Sequence, residues 1–242
     1  MKTYYQDEWV TIYHGDCRDI LPDLGPAETV ITDPVWPNSI VQLEGSEDPA
    51  GLLSGMLSVL PAAERIVIHL GCDTDPRFLC AVPDKWPFIR MCNLEYTVPH
   101  YKGRILYTGD VAYIFGAPPA YIPGRQLITG GCRSTVSDRQ NMRHTGKHRR
   151  RTMKHSPEDK LSHPTPRRLE HVKWLVNNLS DDMVMDPFMG SGTTAVASKL
   201  LNRRFIGIEI KEEFCEAAAN RCSQQVMDLR SGPGLAEVEL EV

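Results

Sequence analysis

The chain has no uninterrupted apolar run of 18 residues and no basic N-terminal stretch leading into a short apolar one. Neither a membrane-spanning helix nor a secretory leader is therefore expected, and no membrane partner. Cysteine is sparse. The seven are scattered, odd in number and contain no Cys-x-x-Cys pair. That pattern disfavours a disulfide framework and points to a reducing compartment. The histidines and cysteines share no zinc-ligand spacing, so no metal is expected. His144 and His148 stand four apart, but within a basic run that faces solvent or phosphate. Positive charge is also short. Lys and Arg total 27 against 31 Asp and Glu, a net charge of −4. Any contact with a polyanion must come from a local patch.

What remains is enough for one globular domain, with 41% hydrophobic residues among 242. Short apolar runs alternate with amphipathic stretches. Strands are expected at Val10–Tyr13, Thr29–Thr32, Arg65–Leu70, Phe88–Tyr96, Asp110–Phe115, Met183–Met185 and Phe205–Ile208. Asp19–Leu24 suits a helical turn. Helices are expected at Leu52–Leu60, Arg167–Leu179, Ala195–Leu201 and Lys211–Val226. In the first of these, Leu53, Met56, Leu57 and Leu60 share a face; in the second, Leu169, Val172, Leu175, Val176 and Leu179 do. In the last, Phe214, Ala218, Cys222 and Val226 fall on one side. Such alternation implies an α/β fold, with a mostly parallel sheet, a late antiparallel strand and helices on both faces. His69 reads as a satisfied core or strand-end residue rather than a ligand.

Two motifs carry chemistry. The run Asp186-Pro187-Phe188-Met189-Gly190-Ser191-Gly192-Thr193-Thr194 follows an expected strand and opens an expected helix. Glycines let backbone approach a ligand closely, and the N–H groups of a helix start favour an anionic group. It is neither a Walker loop nor a complete Gly-x-Gly-x-x-Gly site. Glu209 ends the next apolar run, 23 residues after Asp186, where nucleotide folds grip a ribose. Far upstream, Asp33-Pro34-Val35-Trp36 closes another strand. The Asp33 carboxylate and the Pro34 carbonyl suit a planar amine, and the Trp36 indole suits a stacked ring. Ligands of parallel sheets sit beyond the carboxyl ends of the strands. Asp33 and Asp186 can therefore flank one cleft across 153 positions of sequence.

Together these motifs resemble the amino-methyltransferases of DNA, which use S-adenosylmethionine to methylate N6 of adenine or N4 of cytosine. The catalytic motif precedes the cofactor motif, similar to the permuted β-type arrangement. His14-Gly15-Asp16-Cys17 resembles the family's cofactor-adenine motif. His163-Pro164-Thr165-Pro166 resembles the motif leading into the cofactor strand. The resemblance spans roughly residues 9 to 222 and implies a Rossmann-like methyltransferase sheet. It implies catalytic roles for Asp33, Pro34 and Trp36. It places Asp186, Phe188, Gly190, Ser191, Gly192 and Thr193 at the methionine end of the cofactor, with Thr165 nearby. Glu209 takes the ribose, and Asp16 with Cys17 the adenine. Position 35 departs from the family, which usually has proline there. Valine loses a φ restraint but no side-chain function. No cysteine follows a proline, so the Pro-Cys nucleophile associated with methylation of cytosine C5 is missing.

The resemblance implies adenine N6 over cytosine N4, because Asp33 is the first residue of the tetrapeptide and family members acting on cytosine N4 more often have Ser there. RNA, a protein glutamine amide, and a non-catalytic nucleic-acid-binding module are the other readings. Residues 1–226 are expected to form the catalytic domain, and 227–242 an acidic tail. Residues 117–162 are expected to be a short insertion contacting DNA. Within it, Arg139, Arg143, Lys147, Arg149, Arg150, Arg151 and Lys154 stand without an acid among them. Such a cluster suits backbone phosphates. A monomer or homodimer in the cytoplasm of a prokaryotic or phage-infected cell is expected.

Overall fold

A computed structural model describes residues 2–38, 43–102, 104–121, 123, 129–134 and 167–223. Nine strands form one sheet: β1 (Tyr5–Gln6), β2 (Val10–His14), β3 (Ala27–Thr32), β4 (Ala63–Gly71), β5 (Phe88–Lys102), β6 (Ile105–Gly116), β7 (Gly131–Arg133), β8 (Met183–Asp186) and β9 (Arg204–Glu209). Their order is β1-β2-β9-β8-β3-β4-β6-β5-β7. The five strands from β2 to β4 are parallel to one another. β6 runs antiparallel to both β4 and β5 and is the expected late reversal. The helices are α1 (Cys17–Ile20), α2 (Pro49–Val59), α3 (Leu169–Leu179), α4 (Thr193–Leu200) and α5 (Glu212–Ser223).

The pleat explains the layers. Successive strand residues point to opposite faces. Ile31 of β3, Val67 of β4 and Phe205 of β9 pack with Val172, Leu175 and Val176 of α3, together with residues of α4 and α5. Residues at the alternate strand positions, Val30, Ile66, Ile68 and Ile208, pack instead with Leu53, Met56 and Leu57 of α2 and with Cys17 of α1. Both faces of the sheet are thus covered, as continuous apolar strands require. The helix ends follow local chemistry. Asp48 caps α2 by accepting from the Gly51 N–H at 2.9 Å, and Pro49 fills the first turn. Glu212 and Glu213 begin α5, and Arg221 lies in its last turn, each matching the helix dipole.

Two differences from the sequence-based expectation matter. α3 starts at Leu169 because Arg168 is extended, with φ −67° and ψ 127°. Arg167 is thereby outside the helix and available to the site. β7 lies within the expected insertion and pairs in parallel with β5, so residues 131–133 belong to the sheet. The rest of the insertion beyond residue 134, and the acidic tail, fall outside the described residues.

Candidate active site

The site forms where β8 meets β3 at the centre of the parallel strands. Their register pairs Thr29 with Val184 and Val30 with Met185. Two residues further along β3, the Thr32 hydroxyl donates to Asp186 Oδ1 at 2.7 Å. The Thr194 hydroxyl donates to Oδ2 at 2.7 Å, and the Phe188 N–H to Oδ1 at 3.1 Å. Asp186 therefore ties the two strand ends to the glycine turn and to the start of α4. It is buried, and burial pushes its carboxyl up to about 7 against the pull of the two hydroxyls and the amide.

A cavity of about 440 Å³ opens beyond these strand ends. Gly190 turns at φ 53° and Gly192 at φ 77°, both left-handed, where glycine carries no steric penalty. The two glycines do different work. Gly190 lines the cavity. Gly192 caps α4, and a Cβ there would sit 2.6 Å from Cβ of Ala218 on α5. Gly192 thus serves close packing of α5. Glu209 spans the turn and the next strand. Its Oε2 accepts the Gly190 N–H at 2.8 Å and its Oε1 the Lys211 N–H at 2.9 Å. The Gly190 N–H is thus engaged by Glu209. Burial raises the Glu209 carboxyl. Arg221 of α5 supports the turn from behind, with Nη1 3.2 Å from Ser191 Oγ and 3.3 Å from Thr193 Oγ1.

At the end of β2, Asp16 caps α1 through the Arg18 N–H at 2.8 Å and pairs with the Arg18 guanidinium at 2.6 Å. This partner holds its carboxyl below the usual range. Cys17 is buried behind it, and burial pushes its thiol up to about 12. It is an inert wall rather than a nucleophile. Asp16, Cys17, Phe188, Gly190, Ser191, Thr193 and Glu209 all line the cavity. Thr165 lies outside the described residues.

Asp33 and Trp36 line the same cavity, and Pro34 is buried outside its lining. The sequence alone does not reveal how Asp33 is held. Arg167 donates from Nε to Asp33 Oδ2 and from Nη2 to Oδ1, both at 2.7 Å. Its guanidinium lies 5.1 Å from the Trp36 ring centre. Its third nitrogen, Nη1, is 3.2 Å from Asp110 Oδ2 on β6. Asp110 is buried, accepts from the Tyr96 hydroxyl at 2.6 Å and lies 3.4 Å from His69 Nε2. Burial opposes its charge, but His69, Arg167 and Tyr96 hold the carboxyl far below its usual range. His69 is buried at its strand end and also lines the cavity, so it is more than the satisfied residue expected from sequence. His171 is fully buried with Nε2 3.0 Å from the Glu95 carbonyl, and burial lowers its imidazole to about 4. His69, Asp110 and His171 approach one another closely enough to hold a cation. The Arg167 guanidinium on Asp110 already supplies that charge. The only sequence signal for Arg167 is the Arg-Arg pair directly after the His163-Pro164-Thr165-Pro166 motif.

The seven basic residues expected to contact DNA all lie outside the described residues. All seven cysteines are free. Among the described residues, no helix is long and apolar enough to cross a membrane.

This sheet order, with its cleft at the strand ends, is the Rossmann-like methyltransferase architecture. The model of a DNA methylase family, the N6/N4 methylases, matches residues 28–220, and the chain belongs to that family. Within it, the chain is 41% identical over 73 residues to the orphan methyltransferase M.BamHII of Bacillus amyloliquefaciens, covering 28% of each chain. It is 34% identical over 87 residues to the type II methyltransferase M.BglII of Bacillus subtilis, covering 35% of this chain and 24% of that one. The matched stretches thus span about a quarter of those relatives' length. The fold is similar to M1.HpyAVI in complex with S-adenosylmethionine, with a TM-score of 0.62 and 20% identity over 88% of this chain and 99% of that one. It is also similar to the cytosine-N4-specific PvuII DNA methyltransferase, with a TM-score of 0.65 and 16% identity over 93% and 90% of the two chains.

Proposed function

We propose that the chain transfers a methyl group from S-adenosylmethionine to an exocyclic amine of a DNA base, adenine N6 before cytosine N4. The supporting observation is the shared cleft. The Thr32–Asp186 hydrogen bond draws the end of β3, which carries Asp33 and Trp36, against the glycine turn after β8.

The donor set fits S-adenosylmethionine. Glu209 is a buried carboxylate able to receive ribose hydroxyls through its remaining lone pairs. The start of α4 favours the methionine carboxylate. Asp16 and Cys17 line the cavity where we assign the adenine, and Phe188 and Phe214 provide apolar wall. When bound, S-adenosylmethionine supplies an electrophilic methyl group. The chain's own task is to bind, orient and dehydrate the acceptor amine. Asp33 receives an N–H of the amine on lone pairs that Arg167 leaves open, and Trp36 stacks on the ring. Both act on a base that has left the duplex, at a cost of a few kcal/mol. Holding the amine by its N–H orients its nitrogen lone pair out of conjugation with the ring. No covalent bond to the protein is required.

Labelled cofactor offered to unmethylated DNA, RNA and protein, followed by nucleoside mass spectrometry, tests the proposal. N6-methyladenine in DNA is the expected product. N4-methylcytosine alone overturns the choice of adenine, and label in RNA or protein alone overturns DNA. A non-catalytic binder is distinguished by thermal shift. Cofactor at a hundredfold excess over Kd stabilises by about 2.7 kcal/mol, whereas a binder that does not use it gives no shift at millimolar cofactor.

A further inference from the structure

We infer that Arg167 is a positioning residue for methyl transfer: it fixes Asp33 and Trp36 in one arrangement, and Asp110 on β6 orients it. This rests on the amine-transfer reading above.

The geometry of the guanidinium carries the inference. All three of its nitrogens face carboxylates. Two make a parallel bidentate pair with Asp33, and the third reaches Asp110. A planar fork that meets a carboxylate twice fixes its rotation as well as its position. The same plane lies beside the Trp36 ring. One side chain therefore sets both groups that would hold the target base. Both stand on the loop after β3, where Val35 carries no ring to restrain φ.

An alternative use of the same geometry is a plug. A guanidinium that donates twice to Asp33 beside Trp36 resembles an aminated ring in its place, and it could leave when a base enters. The second carboxylate argues against this. Withdrawing Arg167 would leave Asp33 and Asp110 as like charges around one cleft, with buried Asp110 stripped of its guanidinium partner. Asp110 is itself anchored by Tyr96 on β5 and His69 on β4. Three strands of the sheet thus brace Arg167 from the side away from Asp33. Burial works against the Arg167 charge, but Asp33 and Asp110 more than offset it. The remaining lone pairs of Asp33 are left for the substrate amine.

The test uses the full chain with labelled S-adenosylmethionine and unmethylated duplex DNA. The variants are Arg167→Lys, Arg167→Gln, Asp110→Asn and the double variant Asp110→Asn/Arg167→Gln. Arg167→Lys keeps the charge and loses the fork. Misplacing a reacting group by about 1 Å costs roughly 100-fold, and a loss of that order in kcat is expected for both Arg167 variants. The dissociation constant for S-adenosylmethionine and the KM for DNA should stay near wild type in both. The melting temperature should stay near wild type in Arg167→Lys, which keeps the charge, and fall in Arg167→Gln, which leaves Asp33 and Asp110 without it. Asp110→Asn should lower kcat in the same sense but less. The double variant should be no slower than Arg167→Gln alone, because Asp110 acts through Arg167. Faster methylation or a lower KM in Arg167→Gln identifies a plug and overturns the assignment. So does full kcat in Arg167→Lys, additive loss in the double variant, or a parallel fall of kcat, cofactor affinity and melting temperature in Arg167→Lys. If the wild type methylates no base amine in DNA, the amine-transfer reading itself fails, and the Arg167 role falls with it. An active wild type beside unimpaired Arg167 variants overturns only the latter.

Discussion

The Thr32 hydroxyl donates to the Asp186 carboxylate across 2.7 Å, joining residues 154 positions apart. The last residue of one strand thereby meets the last residue of its neighbour. Asp33 follows directly on one chain segment and the glycine turn on the other. On the proposed reaction, this places the acceptor and donor halves of the transfer side by side.

Asp33 should be separable from cofactor binding. Asp33→Ala removes the acceptor for the amine but leaves the turn, Glu209 and Asp16 intact. Methyl transfer should be lost, while calorimetry should show S-adenosylmethionine affinity close to wild type. An equal loss of both would assign Asp33 to the cofactor instead.

The two glycines of the turn should fail in different ways. Gly190→Val adds a branched side chain at φ 53° in the lining of the cavity. Cofactor affinity should fall at least about tenfold, or about 1.4 kcal/mol. Unchanged affinity would remove the turn from the site. Gly192→Ala places its Cβ against Ala218 at φ 77°. It should chiefly lower stability, by about 1–3 kcal/mol, read from denaturant melts. Intact stability with lost cofactor binding would return Gly192 to the ligand.

Two buried groups should give opposite dependences of stability on pH. The Asp186 carboxyl is raised from 3.8 to about 7 in the folded chain. Its contribution is full below about pH 4 and is lost as pH rises through about 7. The His171 imidazole is lowered from 6.5 to about 4. Its contribution is present above about pH 6.5 and is lost as pH falls through about 4. Urea unfolding from pH 4 to pH 8 should therefore show Asp186→Asn gaining stability relative to wild type as pH rises. His171→Gln should lose relative stability over the same range. Curves parallel to wild type would mean that neither group titrates as its burial implies.

The basic run from Arg139 to Lys154 should act through phosphate. Replacing Arg149, Arg150 and Arg151 with alanine should weaken DNA binding about equally on all sequences. The log-log salt slope should flatten by about 0.9 for each phosphate no longer neutralised, up to roughly 2.7 for duplex DNA. The methylated sequence context should stay the same, because phosphate interactions position the protein and base interactions specify the site. An unchanged slope with altered methylation sites would show the run reading bases.

Much of this protein is written locally. Apolar runs of period 2 and 3.6 mark seven of the nine strands and the core faces of α2, α3 and α5, because burial selects residue type along each element. The glycine turn, Glu209 and the Asp33 tetrapeptide are legible because each needs particular residues close together in sequence. β1 and β7 escape notice, since two- and three-residue edge strands carry no period. The strand order is decided by tertiary structure, which seats β8 against β3 through a register no local pattern encodes. So is the division of labour between the glycines, which depends on Ala218 of α5 lying beside one of them. The Arg167 network belongs to the same class. Asp33, Asp110, Tyr96 and His69 come from four strands or their ends, and an arginine after a proline-rich motif looks like any helix-flanking cation. Only the packed sheet aims that one guanidinium at two carboxylates, because only there is solvent too scarce to satisfy the charges otherwise.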